Sequence, residues 1–320
     1  MAEHALITGG AGFIGAHLAR RLLEEGVEVT LLDDFSRGRE DETLARLARQ
    51  ATLVRHDLTQ PIPYGLLPRH VDTVYHLAAV VGVQRTADSP QRVLRTNVLA
   101  ASNLLDWCDK AGPDTVFLSS TSEFADGAAQ SGLAPFPTPE DVPFVLAEPR
   151  STRASYALSK AVAESMVWYR AGQTRVRIGR YFNVYGPRMG HSHVIPQFIG
   201  RILRDENPFR IYGAYQSRAF CHVDDAVAAT RALTRLPGDE PVVANIGDNT
   251  REIRMIDLAR LLFELAGVCP QVEILDSPSG SPERRIPDLA RLHGALGRRA
   301  AVPLEQGLRE MLDWYGTESR

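Results

Sequence analysis

Short apolar runs alternate with amphipathic segments along the first third of this 320-residue chain. Four of the apolar runs have the length of buried strands, namely ALIT, VEVTLLD, VDTVYHLAA and DTVFLSS. Among them lie FIGAHLARRLLEE and RVLRTNVLAASNLLDWCDKAG, in which apolar residues recur at the spacing of a helix. Strands separated by helices are typical of βαβ units. The pattern therefore predicts an α/β fold with a doubly wound parallel sheet.

The regular alternation stops between about residues 128 and 152. Prolines recur in this stretch, at Pro135, Pro137, Pro139, Pro143 and Pro149. Because proline interrupts helices and central strands, we expect a long loop or lid here. Further on, SYALSKAVAESMVWYR predicts a helix and VRIGRYFNVYG predicts a strand, whereas the remaining segments are less regular.

The composition narrows the range of partners and compartments. With 44% hydrophobic residues, 23% charged residues and a net charge of −3, the chain is typical of a globular protein and indicates no nucleic-acid or anionic-membrane partner. No apolar run approaches the ~20 residues that span a bilayer. The first strand begins almost at once, so we expect no signal peptide. Cys108, Cys221 and Cys269 are scattered, which favours free thiols and a cytoplasmic location.

A glycine-rich turn, TGGAGFIG, joins the first strand to the first helix. Gly9, Gly12 and Gly15 allow the backbone to turn tightly and to approach a pyrophosphate at the helix N-terminus. The second strand ends in Asp33, 18 residues after Gly15. A carboxylate there accepts both ribose hydroxyls and repels a 2′-phosphate, which predicts a Rossmann-type site for NAD rather than NADP. The alternative is a glycine-rich turn without a ligand.

The segment SYALSK places Tyr156 and Lys160 four residues apart, on one face of the predicted helix. A lysine ammonium near a phenol lowers the pKa of the phenol toward neutrality. Such a tyrosine can take a proton from a sugar hydroxyl while hydride leaves the same carbon. Taken alone, the spacing is also found on ordinary helix faces. After a dinucleotide-binding turn, it favours a catalytic pair.

The chain is similar, over nearly its whole length, to the extended short-chain dehydrogenase/reductases that act as NAD-dependent sugar-nucleotide epimerases, dehydratases and decarboxylases. The resemblance runs through TGGAGFIG, DDFSRG, HLAA, SSTSE, SYALSK, RYFNVYGPRM, IYGAYQSRAFCHVDDA, NIG and ERRIPD. It implies bound NAD. The cofactor-binding residues that it implies are Gly9, Gly12, Phe13, Ile14, Gly15, Asp33, Asp57, Leu58, Leu77, Ala78, Ala79, Tyr156 and Lys160.

The resemblance also gives a role to Thr121 in the run SSTSEF. In this group a hydroxyl in the loop after the strand completes the triad with Tyr156 and Lys160 by hydrogen bonding to the sugar O4. A threonine that only caps the following turn is the alternative. For Asp57, a cap or turn is likewise the alternative to a contact with the adenine edge.

The second half of the chain resembles the part of the family that binds a UDP-sugar. The substrate-binding residues that the resemblance implies are Asn183, Arg188, Val194, Gln197, Tyr212, Arg218 and Arg285. We expect arginines to neutralise the diphosphate and no metal to take part, because the histidines lack ligand spacing. We expect residues 1–180 and a returning segment at about 217–248 to form the NAD-binding domain. Residues 181–216 and 249–320 are expected to form a smaller, mixed α/β substrate-binding lobe.

Two features bear on the reaction. Thr121, Ser122 and Glu123 resemble the Thr-Ser-Glu of UDP-glucuronate decarboxylases, whereas 4,6-dehydratases have Asp-Glu after the threonine. In addition, SPERRIPD resembles the RxPD segment of those decarboxylases, with Arg285 in the catalytic position. Once C4 is a ketone, the C6 carboxylate can leave as CO₂ through an enolate. Arg285 would hold that carboxylate, and Glu123 or Ser122 would manage the proton at C5.

Other readings stay open. Arg284 and Arg285 could form a surface pair, or could contact phosphate. Phe124, Ala125 and Asp126 replace the Val-Tyr-Gly that usually follows the glutamate, and AAVVGVQRTADSP is more similar to 4-epimerases. The 5,6-dehydratases and apiose synthases also carry Thr-x-Glu. An NAD-binding sensor module is the non-enzyme alternative, which the presence of both the tyrosine and the lysine disfavours.

The oligomeric state is a further expectation. The resemblance implies a homodimer formed through two helices of each subunit, near residues 93–108 and 156–169. The apolar residues of these helices could equally belong to the core of a monomer.

Overall fold

The computed structural model describes residues 3–277, 280–297 and 302–318. The described part leaves out the first two and the last two residues of the predicted domains, residues 278 and 279, and residues 298–301. The strands are β1 His4–Thr8, β2 Glu28–Asp33, β3 Thr52–Arg55, β4 Thr73–His76, β5 Thr115–Thr121, β6 Arg175–Tyr181, β7 Val184–Tyr185, β8 Phe209–Tyr212, β9 Ser217–Ala219, β10 Cys221–His222, β11 Val242–Ile246, β12 Glu252–Arg254, β13 Val272–Leu275 and β14 Arg284–Arg285.

The helices are α1 Phe13–Glu24, α2 Glu42–Leu47, α3 Val83–Asp88, α4 Pro90–Ala111, α5 Asp126–Gln130, α6 Ala154–Trp168, α7 Val194–Ile202, α8 Val223–Thr234, α9 Met255–Ala266, α10 Ala290–Leu296 and α11 Leu304–Glu318. A 3₁₀ turn, Ser122–Ala125, connects β5 to α5. None of the helices in the described part of the chain is both long and apolar enough to cross a membrane.

The main sheet in the described residues has seven parallel strands in the order β11-β6-β5-β4-β1-β2-β3. The central strand β1 is a continuous apolar run because helices cover both faces of the sheet; its Ala5, Leu6 and Ile7 are fully buried. The chain proceeds outward from β1 in one direction and then returns to β4 on the other side. The prediction of a doubly wound α/β fold is therefore confirmed. Ligands of such sheets bind beyond the carboxyl ends of the strands at this switch point.

The chain divides into two compact units. Unit 1 comprises Met1–Phe124, Glu148–Arg180 and Val227–Ala244. Unit 2 comprises Ala125–Ala147, Tyr181–Ala226 and Asn245–Arg320. These bounds differ from the predicted ones, because residues 125–147 group with unit 2 and the returning segment is shorter. The functions assigned to the two parts stay predictions.

Unit 1 holds most of the main sheet and the helices that cover it. The long helix α4 packs beside α6, and α6 packs on β5. Their contact is part of a continuous apolar core that includes Leu104, Leu118, Ala163 and Ile178. This packing places the N-terminal half of α6 next to the end of β5.

Unit 2 is a mixed α/β lobe, as predicted. It contains the three-stranded sheet β12-β9-β14 and two smaller sheets, β10-β7 and β13-β8. Its core includes the edge-to-face contacts of Phe209 with Phe198 and Phe263. The single strand predicted from VRIGRYFNVYG is divided into β6 and β7, because Asn183 adopts a positive φ of 41° between them.

Candidate active site

The glycine turn is shaped by close backbone contacts that exclude side chains. Gly9 has a φ of +71°, and a Cβ atom there would lie 2.8 Å from the backbone nitrogen of Ala78. A Cβ atom on Gly15 would lie 2.2 Å from the carbonyl oxygen of Gly9. The first amides of α1 have no acceptor within the helix. A cradle lined by backbone that leads to a helix N-terminus fits the pyrophosphate of NAD.

Asp33 is fixed beside this turn at the end of β2. The buried carboxylate accepts hydrogen bonds from the backbone N–H of Ala11 at 3.0 Å and of Phe35 at 2.8 Å. Burial and the neighbouring Arg85 lower the pKa of Arg37, and the charges of Tyr156 and Asp33 oppose that shift. A half-buried guanidinium therefore lies within the electrostatic range of two predicted site residues, a feature that the sequence did not single out.

The other residues predicted to bind the cofactor occupy the same edge of unit 1 or its core. Ala78 meets Gly9, as described above, and the Leu77 N–H donates to the carbonyl of Thr8 at 3.1 Å. Leu58 is buried in the core. The Asp57 carboxylate accepts the N–H of Thr59 at 2.8 Å, which is the turn contact given above as the alternative for this residue. A role of Asp57 at the adenine stays a prediction.

Lys160 is deeply buried on α6, where its Nζ donates to the carbonyl oxygen of Ser119 at 2.7 Å. Burial lowers the pKa of Lys160 to about 8, while the carboxylate of Glu164 acts in the opposite direction. The bond to Ser119 ties the lysine to the end of β5. Tyr156, one turn earlier on the same helix, belongs to the same region of unit 1.

Asn97 connects three parts of this region and was missed by the sequence analysis. Its side chain accepts from the N–H of Val80 at 2.7 Å and donates to the carbonyl of Val80 at 3.1 Å. It also donates to the hydroxyl of Ser159 at 3.0 Å, and Ser159 donates to the carbonyl of Tyr156 at 2.7 Å. A polar residue in the buried stripe of a predicted helix was the signal that could have indicated this role.

The end of β5 carries the hydroxyls and the carboxylate of SSTSEF. Thr121 and Ser122 are buried and Glu123 is half-buried. The Oγ1 of Thr121 accepts the N–H of Glu123 at 3.2 Å, so the capping contact is present. A hydroxyl that accepts one hydrogen bond still has its own proton to donate. The contact is therefore compatible with a second bond from Thr121 to a sugar oxygen.

A buried ion pair contacts the segment SSTSEF near both of its ends. Arg180 of β6 donates two hydrogen bonds to Glu164 of α6, at 2.9 and 2.7 Å. The hydroxyl of Ser120 also donates to Glu164, and the Cζ of Arg180 lies 3.5 Å from the centroid of the Phe124 ring. Ser120 precedes Thr121 and Phe124 follows Glu123, so a single pair fixes the residues on either side of the predicted catalytic positions. Glu164 and Arg180 were not among the site residues predicted from the sequence.

In unit 2, strand pairing separates the two adjacent arginines of ERRIPD. β14 pairs in parallel with β9, with Arg285 beside Arg218 and Arg284 beside Ser217. Because neighbouring residues of a strand point to opposite faces, Arg284 and Arg285 lie on different sides of the sheet. Arg284 donates to both oxygens of Glu252, at 2.9 and 2.7 Å.

Arg285 and Arg218 have different partners. Arg285 forms an ion pair with Asp126. Arg218 donates to the carbonyl oxygens of Ser217 and Pro282, at 2.7 and 2.8 Å. The register of β9 and β14 therefore places the side chains of Arg218 and Arg285 on the same face of the sheet.

The remaining residues predicted to bind substrate also belong to unit 2. Asn183 donates to the carbonyl of Ala219 at 2.9 Å, and Arg188 is buried with a φ of +68°. Val194 begins α7 and Gln197 lies on its exposed face. Tyr212 ends β8 and is 54% exposed. Their roles in binding a nucleotide stay predictions.

Three features define a dinucleotide-dependent enzyme of the Rossmann class. They are the glycine turn at the switch point of the sheet, the acidic residue at the end of β2 and the Tyr/Lys pair on α6. More specifically, residues 5–247 match the NAD-dependent epimerase/dehydratase family, and the chain belongs to this family. The predictions of NAD as the cofactor and of a sugar-nucleotide enzyme are thereby confirmed.

Known members of the family are similar over most of the chain. UDP-glucuronic acid decarboxylase 1 of Xenopus tropicalis is 32% identical over 322 residues, which cover 99% of this chain and 73% of the relative. A UDP-glucose 4-epimerase of Thermotoga maritima, solved with UDP-glucose, superposes with a TM-score of 0.85 at 28% identity, covering 99% of this chain and 100% of the other. MoeE5 in complex with UDP-glucuronic acid and NAD gives a TM-score of 0.84 at 29% identity, with 98% and 99% coverage.

Proposed function

We propose that this protein decarboxylates UDP-glucuronate to UDP-xylose, with NAD recycled in each turnover. The family and the similar proteins already support NAD-dependent modification of a UDP-sugar. The observation that carries the finer proposal is the placement of Arg285. Arg285 lies beside Arg218, on the other face of the sheet from Arg284, and forms an ion pair with the carboxylate of Asp126. The run Thr121-Ser122-Glu123 and the similarity to UDP-glucuronic acid decarboxylases support the same reaction.

The first part of the proposed chemistry uses residues of unit 1. When bound at the glycine turn and Asp33, NAD would supply the acceptor for the hydride of C4 and the hydride that is returned to C4. Tyr156 removes the proton of O4, and Thr121 hydrogen bonds to the same oxygen. Lys160 favours the phenolate, because a nearby cation stabilises a developing negative charge. The hydrogen bond between Lys160 and the Ser119 carbonyl holds the ammonium in position.

The second part requires groups that act at C5 and C6. Once C4 is a ketone, the C6 carboxylate is bonded to C5, the ring carbon next to that ketone. The sugar is then a β-keto acid, which releases CO₂ as an enolate forms between C4 and C5. In the proposal Arg285 binds and orients the carboxylate through charge-assisted hydrogen bonds. Glu123 or Ser122 then delivers the proton to C5. Glu164 and Arg180 contact Ser120 and Phe124, the residues on either side of the segment that carries these two side chains.

A UDP-sugar 4-epimerase is the second candidate. It is favoured by the segment AAVVGVQRTADSP and by the structural similarity to the UDP-glucose 4-epimerase of Thermotoga maritima. An epimerase needs only the chemistry at C4, so it would give Glu123 and Arg285 no role at C5 or C6.

Replacement of each arginine in turn tests the proposal. We expect Arg285→Ala to slow CO₂ release from UDP-glucuronate while the 4-keto sugar still forms, because Thr121, Tyr156 and Lys160 are unchanged. The keto sugar can be trapped by reduction and weighed by mass spectrometry. Arg284→Ala is the matched control, since that side chain pairs with Glu252 on the other face of the sheet. If Arg285→Ala only weakens the binding of UDP itself, Arg285 is a phosphate ligand and the proposal loses its main support.

The homodimer expected from the resemblance stays a prediction. Its test is sedimentation velocity at micromolar concentration, in which a monomer mass would contradict it.

A further inference from the structure

Asp126 and Arg285 form an ion pair within unit 2 that none of the proposed catalytic steps uses. Asp126 is the first residue of α5, and Arg285 is the last residue of β14. The side chains are 23% and 14% exposed, respectively. A pair this far removed from water is screened less than an ion pair on the surface.

Backbone contacts fix both partners in place. A Cβ atom on Gly127 would lie 1.8 Å from the carbonyl oxygen of Val145, so α5 is held directly against the backbone of the 142–147 segment. The N–H of Thr138 donates to the carbonyl of Ile286 at 2.9 Å, and the N–H of Asp288 donates back to Thr138 at 2.8 Å. The ion pair therefore joins two anchored pieces of backbone.

The charges around Arg285 bear on the kind of ligand that this side chain can bind. Arg218, its neighbour across the strands, donates to backbone carbonyls, and Arg284 has its own carboxylate in Glu252. Asp126 presents a carboxylate to Arg285 from α5. A partly buried guanidinium that gives up a carboxylate loses a favourable interaction unless another anion takes the place of that carboxylate. Arg285 can therefore exchange Asp126 for an anion supplied by a ligand.

We propose that Asp126 is an internal competitor for Arg285 that selects sugar nucleotides carrying a carboxylate. This inference rests on the proposed uronate substrate. A uronate brings a carboxylate that replaces that of Asp126 on Arg285, so the guanidinium stays paired. A nucleotide of a neutral hexose brings no such group at C6, and Arg285 then stays with Asp126. Removal of the Asp126 charge should therefore help a uronate to bind and should leave a neutral sugar unaffected.

The test compares the binding of two ligands, UDP-glucuronate and UDP-glucose, with and without the charge of Asp126. Asp126→Asn keeps the shape of the side chain and removes its charge. All proteins carry Tyr156→Phe, so that the ligands stay intact, and dissociation constants are measured by calorimetry. We expect Asp126→Asn to bind UDP-glucuronate about fivefold more tightly, the effect of removing one competing ion pair. The dissociation constant of UDP-glucose should not change.

Asp141→Asn is the matched control, because Asp141 pairs with Arg291 in the same unit and is 81% exposed. It should alter neither dissociation constant. Thermal unfolding of each variant reports the integrity of the fold, and Asp126→Ser provides a second neutral replacement. Equal tightening of both ligands would assign Arg285 to the diphosphate and overturn the inference. So would an unchanged affinity for UDP-glucuronate in the folded variants.

Failure of this inference and failure of the proposed function give different results. The calorimetric comparison depends on binding alone. A protein that binds UDP-glucuronate more tightly as Asp126→Asn, but releases no CO₂ with Tyr156 intact, supports the selection of a carboxylate and refutes decarboxylation.

Discussion

At the scale of single residues, Tyr156 is the group on which the proposed chemistry at C4 depends. Phenylalanine keeps the ring and the helix but removes the oxygen that accepts the proton in this proposal. We expect Tyr156→Phe to lower turnover by about 10²-fold or more, the scale of lost general acid–base catalysis, with NAD content unchanged. Initial rates and the NAD released from denatured protein measure the two quantities. Near-normal turnover would remove Tyr156 from the mechanism.

His76 gives the protein a defined response to acid. It is buried at the end of β4, with Nδ1 2.8 Å from the Oγ1 of Thr8. Burial lowers the pKa of His76 to about 3, and the nearby Lys160 acts in the same direction. The unfolded chain binds a proton near pH 6.5 and the folded chain does not. Protonation of His76 in the unfolded chain therefore has no effect on stability above pH 6.5. As the pH falls from 6.5 toward 3, it lowers the free energy of unfolding progressively.

The consequence can be measured by urea unfolding at pH 7 and pH 5. Between these values the free energy of unfolding of the unmodified protein should fall by about 2 kcal/mol more than that of His76→Asn. Identical losses in the two proteins would show that His76 does not titrate in this way.

Arg284 and Arg285 mark the limit of what the sequence indicates about single residues. The motif predicted that one of them is functional, but adjacent arginines are chemically identical. Only the pairing of β14 with β9 shows which side of the sheet each one occupies. Glu164 and Arg180 were missed for a related reason. Their partners Ser120 and Phe124 lie far away in the sequence.

At the scale of the elements, the Glu164–Arg180 pair joins α6, β5 and β6. Both side chains are more than nine-tenths buried, so removal of one deprives the other of its ion-pair partner where water cannot replace it. We expect Glu164→Leu and Arg180→Met each to lower the free energy of unfolding by about 3 kcal/mol. The double variant should lose less than the sum of the two single changes, because it removes both charges of the pair. Urea unfolding of the four proteins gives the coupling energy.

The exposed pair Glu42–Arg46 on α2 is the control for this cycle, with side chains 81% and 68% exposed. The same replacements there should show a coupling of less than about 1 kcal/mol. A coupling at Glu164–Arg180 as small as that of the control would mean that the pair does not hold the turn.

The elements that the sequence predicted well are those whose period and boundaries are local. β1, α1 and β2 follow from an apolar run, a glycine turn and a helical stripe that ends near Gly26. The two-residue strands β7, β10 and β14 could not be predicted, because their extended form depends on pairing with a partner elsewhere in the chain. For the same reason the break at Asn183 was missed.

At the scale of the whole molecule, the α/β class and the cofactor could be predicted, whereas the bounds of the compact units could not. The proline-rich stretch was expected to be a long loop or lid, and no helix or strand lies in the described residues between α5 and α6; what the pattern did not indicate is that residues 125–147 group with unit 2. Asn245, for example, donates through its side chain to the carbonyls of Thr138 at 2.9 Å and Asp288 at 3.1 Å. Contacts between residues this far apart leave no periodic signal in the sequence.

The central claim is that the chemistry proceeds beyond C4 to the loss of C6. Its most direct test is incubation of the protein with UDP-glucuronate, with mass spectrometry of the nucleotide product and a parallel assay for CO₂. The account predicts a product lighter by the mass of one CO₂, formed together with an equal amount of CO₂ and without net consumption of NAD. A product of unchanged mass, with UDP-galacturonate formed and no CO₂ released, would contradict the account and identify a 4-epimerase.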